Sequence, residues 1–366
     1  MNTELRYGII GAGSMGREHM ENIRIMGGGR ITAVSDPHES SLAAARDRVP
    51  GVKTFSNHLD LLDSGLVDAV VIATPNDTHA AILKDVLATD LAVFVEKPLA
   101  TTIEDCLKIR EWDSNRSALT WMGLEYRFMP PVNEVIQRAK SGDVGKIHQV
   151  AIREHRQPFY PKVDNWNRFA ARTGGTLVEK CCHYFNLMDL ILGEHPIKVY
   201  ASGAQDVNHL DENYDGRQAD MVDNAYVILD YASGARALLD LCMFGEGSYD
   251  KEILTVVGNE GKLESFLPSH NVRYSRRSDW GVSRAWGDSN GTGRGSEIKQ
   301  VIDLDIKYLG HHFGASYIEH VKFRDAILNG TPAEVTLEDG ITSVATGLAA
   351  HQSIREGRPV LLSEII

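Results

Sequence analysis

Apolar positions follow two different rhythms along the chain. Up to about Trp121, short apolar runs alternate with segments of helical period. RYGII (6–10), ITAVS (31–35), DAVVIAT (68–74) and LAVFVEK (91–97) read as strands. The stretches 16–26, LAAARDRV (42–49) and HAAILKDVLAT (79–89) read as helices. Strands alternating with helices of this length predict a parallel, doubly wound sheet with helices on both faces. After Gly123 the rhythm changes to longer β-prone stretches: HQVAIREHR, KVYASGA, NAYVILDY, RALLDLCMF and EILTVVG. Turn signals such as Ser233-Gly234 and VGNEGKL punctuate them, which predicts an open, largely antiparallel sheet. Helices are expected at PVNEVIQRAK, TLVEKCCHYFNLMDLIL, SYIEHVKFRDAIL and GITSVATGLAAHQSIREG, and a long exposed loop from Arg276 to Gly295. The fold class is therefore α/β: a Rossmann domain over residues 1–122, then an α/β domain over 123–366.

The first strand-to-helix turn carries G-x-G-x-x-G as Gly11, Gly13 and Gly16, with Ser14 and Met15 between the last two. Such glycines allow a tight turn, close backbone approach to a pyrophosphate and tight helix packing. The helix N-terminus then offers free N–H groups and a positive dipole end to phosphate. Asp36 ends the second strand, where a carboxylate hydrogen-bonds the adenosine ribose and repels a 2′-phosphate. The expected cofactor is therefore NAD rather than NADP; the plainer reading of Asp36 is a turn residue before Pro37. Thr74, Asn76 and His79 (ATPNDTH) and then Glu96, Lys97 and Pro98 sit at the carboxyl ends of two further strands, where doubly wound sheets bind ligands.

Composition narrows the partners. The 366 residues carry a formal net charge of -12, which argues against nucleic acid and membrane surfaces, both anionic. The chain starts directly on a strand and has no apolar run near the ~18 residues of a membrane span, so the expected location is the cytoplasm. Four cysteines (Cys106, Cys181, Cys182, Cys242) make no C-x-x-C pair, so no metal site is expected. The adjacent Cys181 and Cys182 read as reduced, half-buried packing residues.

Together, GAGSMG, ATPNDTH, EKP, the Tyr126-Arg127 pair in GLEYRFMPP and GGTLVEKCCHYFNLMDLILG resemble the Gfo/Idh/MocA oxidoreductases across nearly the whole chain. The resemblance implies sugar or polyol substrates, oxidised with NAD(P), and a homodimer or homotetramer built through the C-terminal sheet. It implies that Lys97 and His183 take the hydroxyl proton, and that Arg127 lies beside the nicotinamide. Lysine suits the role if burial and neighbours bring its pKa toward neutrality. One departure stands out: Glu179 occupies the usual Asp position four residues before His183, and Lys180 follows it. On one continuous helix Glu179 and His183 would share a face, making a Lys97, Glu179, His183 catalytic set.

The basic stretch before that helix carries Arg153, His155, Arg156, Lys162, Arg168 and Arg172 around Trp166, an aromatic platform for a pyranose. Strand alternation separates Arg153 and His155 from Arg156. With Lys180 and the more distant His312, these residues suggest an anionic hexose derivative; a subunit-contact loop is the alternative. Three activities fit: a net sugar dehydrogenase, a redox-neutral NAD-dependent glycosidase with sulfoquinovosides as first candidates, and a non-catalytic NAD-binding sensor.

Overall fold

A computed structural model describes residues 4–280 and 296–366. Strands β1 (Leu5–Ile10), β2 (Gly29–Ser35), β3 (Lys53–Phe55), β4 (Ala69–Ile72), β5 (Ala92–Glu96) and β6 (Thr120–Gly123) form one sheet in the order β3-β2-β1-β4-β5-β6. Every pairing in it is parallel. Helices α1 (Ser14–Met26), α2 (Glu39–Arg48), α3 (His58–Asp63), α4 (His79–Val86) and α5 (Ile103–Asp113) connect the strands. All residues of β4 and β5 are buried, as unbroken apolar runs require when both faces of a strand are covered.

The second sheet obeys the other rhythm. Strands β7 (Ile147–His155), β8 (Pro196–Ala204), β11 (Asn224–Tyr231), β12 (Arg236–Cys242), β13 (Glu252–Gly258), β14 (Gly261–Leu267), β15 (Asn271–Arg276), β16 (Ser296–Gln300) and β17 (Val360–Leu361) run in the order β16-β15-β14-β13-β7-β12-β11-β8-β17. Strands β9 (Asn213–Tyr214) and β10 (Arg217–Gln218) form a separate small hairpin. Among the described residues of this sheet only β7 and β12 pair in parallel. Burial alternates along β8, β11 and β12: the inner residues meet helices, while Tyr200, Tyr226, Ile228 and Leu238 stand exposed on the outer face. The helices of this half are α6 (Pro130–Lys140), α7 (Ala170–Thr173), α8 (Thr176–Glu179), α9 (Cys182–Leu192), α10 (Ala315–Asn329) and α11 (Leu337–Glu356). The loop expected from Arg276 begins with the end of β15 and a short turn of helix at Arg277–Trp280; residues 281–295 lie outside the described residues.

The chain returns to the first sheet after leaving it. Phe323 of α10 packs on Tyr7, Phe94 and Trp121. The indole of Trp121 donates to Glu319 at 3.1 Å, and the backbone N–H of Met122 donates to the Val335 carbonyl. Among the described residues no helix is long and apolar enough to cross a membrane.

Candidate active site

The glycine turn divides its labour. A Cβ on Gly16 would run into the Gly11 carbonyl oxygen, and one on Gly11, at φ +93°, would lie 2.6 Å from the Ala73 oxygen. Both glycines are therefore required by packing alone. Gly13 is different: a Cβ there would meet nothing within 4 Å among the described residues, so its bare backbone borders open space. It leads into α1, whose N-terminus has no side-chain cap and no acid in its first turn among the described residues, with Ser14 and Met15 at that end. Asp36 hangs over the same turn, its carboxylate accepting from the N–H groups of Ala12 and His38, both at 2.8 Å. An uncapped helix end, a bare backbone wall and a carboxylate at the ribose position fit a dinucleotide.

The next strand ends are more structural than the sequence suggests. Both ring nitrogens of the fully buried His79 face backbone carbonyls, Pro98 at 2.8 Å and Thr74 at 3.1 Å. His79 pins two loops together and offers a cofactor nothing. Glu96 is similarly engaged: His19 lies 2.9 Å from Oε1, and the amide of Lys97 donates to Oε2 at 3.0 Å. Burial would raise this carboxyl, but His19 and Lys97 outweigh it and bring it down to about 2. Its charge anchors α1 to the loop bearing Lys97. The Thr74 hydroxyl accepts from Thr78 at 2.8 Å, and the Asn76 amide donates to the Thr173 carbonyl, crossing toward the second half of the chain.

Lys97 reaches the feature on which the site turns. The expected single helix over 176–192 is broken between α8 and α9 at Lys180 and Cys181. There the Lys180 and Cys181 N–H groups both turn back to the Thr176 carbonyl. A continuous helix would give the Glu179 carbonyl to the N–H of residue 183. Here that oxygen instead accepts from Lys97 Nζ at 3.1 Å. Burial lowers Lys97, but Cys182, Glu96, Glu179 and Glu125 together raise it above its ordinary value, so Lys97 is a fixed cation and not a near-neutral base. His183 moves the other way, held well below its ordinary value by burial and by Lys97, Lys180 and His312. Its ring stacks flat on Tyr126, centroids 3.9 Å apart. Glu179 Oε2 is buried without a hydrogen-bond partner among the described residues, and burial raises its carboxyl.

Several substrate residues fall elsewhere than expected. Burial alternates along β7 so that Glu154 faces the site while Arg153 and His155 face the outer side of the sheet. There Arg153 donates to the Asp250 carbonyl and His155 meets Asp240. The alternation itself was legible; which face was inward was not, because a buried glutamate reads as a surface residue. Lys180 points inward as well, its Nζ 3.1 Å from Glu154 Oε1 and donating to the Tyr126 hydroxyl at 2.5 Å. Arg156 lies 3.5 Å from the same Glu154 oxygen, and Glu252 adds a further buried carboxyl beside Lys180. Arg168 is bound by Glu212 at 2.9 Å. Arg127 donates to Asn186, Asp339 and the Glu334 carbonyl, so it clasps the turn after β6 to α9 and to the start of α11. Trp166 is buried, with the Lys162 ammonium 4.8 Å above its ring. His312 does reach the site, 3.2 Å from Glu125 Oε1. Glu125, Glu154 and Glu252 escaped the sequence reading. Glu125's one signal was its place beside the Tyr126-Arg127 pair. Cys181 and Cys182 are fully buried, not half-buried, and among the described residues no His, Cys, Asp and Glu group is arranged to hold a metal ion.

Comparison with known proteins agrees with this architecture. Residues 5–123 match the family model described as an oxidoreductase NAD-binding Rossmann fold, and residues 137–362 match the oxidoreductase C-terminal alpha/beta domain. A myo-inositol 2-dehydrogenase of Thermotoga maritima is 28% identical over 363 residues, spanning 99% of this chain and 100% of that protein. An inositol 2-dehydrogenase of Rhizobium meliloti is 27% identical over 364 residues, spanning 98% and 99%. A levoglucosan dehydrogenase solved with NADH and levoglucosan superposes with a TM-score of 0.84 at 19% identity, spanning 98% and 99%, a likeness of fold. The chain belongs to the Gfo/Idh/MocA oxidoreductase family, and its N-terminal third is that family's NAD-binding Rossmann domain.

Proposed function

We propose that the chain oxidises a neutral cyclic polyol or sugar, with His183 as the base and Lys97 as the cation that fixes the reacting hydroxyl. One observation carries this reading: two neighbouring groups have environments that push their pKa values apart, Lys97 up and His183 down. Such a split assigns roles. A neutral imidazole accepts the hydroxyl proton, whereas an ammonium held charged donates to the oxygen and stabilises negative charge as it develops. Bound NAD supplies the hydride acceptor. Gly13, the N-terminus of α1 and Asp36 hold it, and Asp36 selects it over NADP. The two inositol dehydrogenases support a polyol substrate.

An anionic substrate has lost its main ground. The buried cations were to need an outside anion, yet Lys180 and Arg156 already face Glu154, and Arg168 faces Glu212. The test is a panel of inositols, pyranoses and charged and neutral glycosides incubated with NAD, following NADH and aglycone together. Stoichiometric NADH from neutral polyols is expected. Preference for sulfonated or carboxylated sugars would overturn neutrality, and aglycone release without NADH would replace net oxidation with redox-neutral cleavage. The exposed face of β8, β11 and β12, bearing Tyr200, Tyr226, Ile228 and Leu238, fits a second copy of this chain. Light scattering should show a dimer or tetramer, and a monomer would refute it.

A further inference from the structure

His183 takes a proton that must leave again, and its ring is only 2% exposed. Beside the base lies a carboxyl: Glu125 Oε2 is 3.8 Å from His183 Nδ1, and neither atom has a hydrogen-bond partner among the described residues. The other oxygen of Glu125 lies 3.2 Å from His312 Nδ1. The His312 side chain is 19% exposed, so it touches both the buried carboxyl and the surface. Glu125 itself is 3% exposed. Three titratable groups thus follow one another from the buried base to water, contributed by the turn after β6, by the start of α9 and by the segment before α10.

We propose that Glu125 and His312 form the proton exit of this site, a proposal that rests on His183 being the base. For each hydroxyl oxidised, the hydride goes to the bound NAD and the hydroxyl proton to His183. A small movement of the Glu125 carboxyl closes the 3.8 Å gap to hydrogen-bond reach; His183 Nδ1 then delivers a proton to Glu125 Oε2, Glu125 Oε1 delivers one to His312 Nδ1, and His312 releases one to water. Glu125 accepts one proton and gives up one, so it ends each turnover as it began. Rotation of the carboxyl exchanges its oxygens.

The surroundings of Glu125 suit a carboxyl that must both hold and lose a proton near neutrality. Burial is the largest influence, Glu96 adds repulsion, and Lys97 and Lys180 oppose them, leaving it pushed up to about 8. Glu319 of α10 is another buried carboxyl facing it. His312 is held well below its ordinary value, chiefly by burial, so it passes a proton on rather than storing it.

The experiment uses the NAD-bound protein and the variants Glu125→Gln, Glu125→Asp and His312→Gln. Glu125→Gln should bind NAD with an unchanged Kd. It should lower kcat on the order of 10²-fold, the low end of an acid–base loss, with little change in KM and a larger solvent deuterium isotope effect. Aspartate should recover part of the rate. Because the groups act in series, the double variant carrying both E125Q and H312Q should be no slower than the worse single variant. Independently of turnover, carboxyl-labelled glutamate followed by NMR should show one signal titrating near 8 that E125Q removes. Multiplying losses with an unchanged isotope effect, or a Glu125 signal titrating near 4, would overturn the relay. Absence of turnover on every polyol would instead defeat the dehydrogenase reading, leaving the carboxyl titration to judge the wire.

Discussion

The two ends of the cleft recognise in opposite ways. At the nucleotide end the ligand's space is made by what the chain lacks: no Cβ at Gly13, no cap on α1, no acid in its first turn among the described residues. At the proposed substrate end, buried charged groups compensate one another, Lys180 and Arg156 against Glu154, with Tyr126 and His183 stacked alongside. The first kind of site stands nearly independent of stability, because removing a side chain leaves no charge stranded. The second is coupled to it, because each partner removed strands another in a dry interior.

The largest effects should come from the chemistry where the two ends meet. Lys97→Ala and His183→Ala are each expected to lower turnover on the order of 10²–10⁴-fold while NAD binding and the fold persist; near-normal rates in both would dissolve the assigned site. Next, Glu154→Gln should destabilise by about 3–5 kcal/mol in chemical denaturation, since it leaves Lys180 buried against a neutral amide. A loss under about 1 kcal/mol would mean the substrate end is not self-compensated. Within the glycine turn the same substitution should give contrasting outcomes. Gly16→Ala should cost about 1–3 kcal/mol or more through the clash with Gly11. Gly13→Ala should leave Tm in place and weaken only NAD.

The pH dependence separates the ends again. Glu125 titrates near 8 when folded, far above an ordinary carboxyl. Between its unfolded pKa and 8 the native state holds the extra proton, so its contribution to stability is full in acid and is lost as pH rises through that window. Glu125→Gln should flatten that part of the curve of stability against pH, and an unchanged slope would contradict it. The smallest effect on function belongs to the nucleotide end: Asp36→Ser should relax the preference for NAD over NADP about tenfold, or ~1.4 kcal/mol, and lower Tm, because the buried N–H of Ala12 loses its acceptor. Tighter NADP binding by the unaltered chain would remove the ribose role of Asp36.

How much was legible follows the same division. Strands β1, β2, β4 and β5 of the first sheet, with Gly11, Gly13, Gly16 and Asp36, could be read directly, because backbone geometry and strand order dictate those residue types locally; the short β3 and β6 could not. Lys97, His183 and His312 were singled out in the sequence, and the structure brings all three close to Glu125. The broken helix at Lys180 was not, since nothing in TLVEKCCHYFNLMDLIL breaks helical period, and only tertiary contacts decide that Glu179's carbonyl turns to Lys97. Nor were Glu125 and Glu154: a charged residue is assigned to solvent until the cation facing it is known, and Lys180 faces Glu154 from far along the chain. Strands β14 and β15 were missed in part because GKLESFL and NVRYSR are short and polar on alternate positions, as an open face permits.

The return of the chain to its first sheet bears on modularity. His19 of α1 sits 2.8 Å from His320 of α10, Phe323 fills the space among Tyr7, Phe94 and Trp121, and Arg324 donates to the carbonyl of Gly27. A cut after Gly123 would therefore separate the sequence at a natural seam while stripping a wall from the body it meant to isolate. Recombining this nucleotide half with another member's substrate half would require transplanting residues 315–329 together with the face of α1 they cover, so that the unit of inheritance here is the pair of halves.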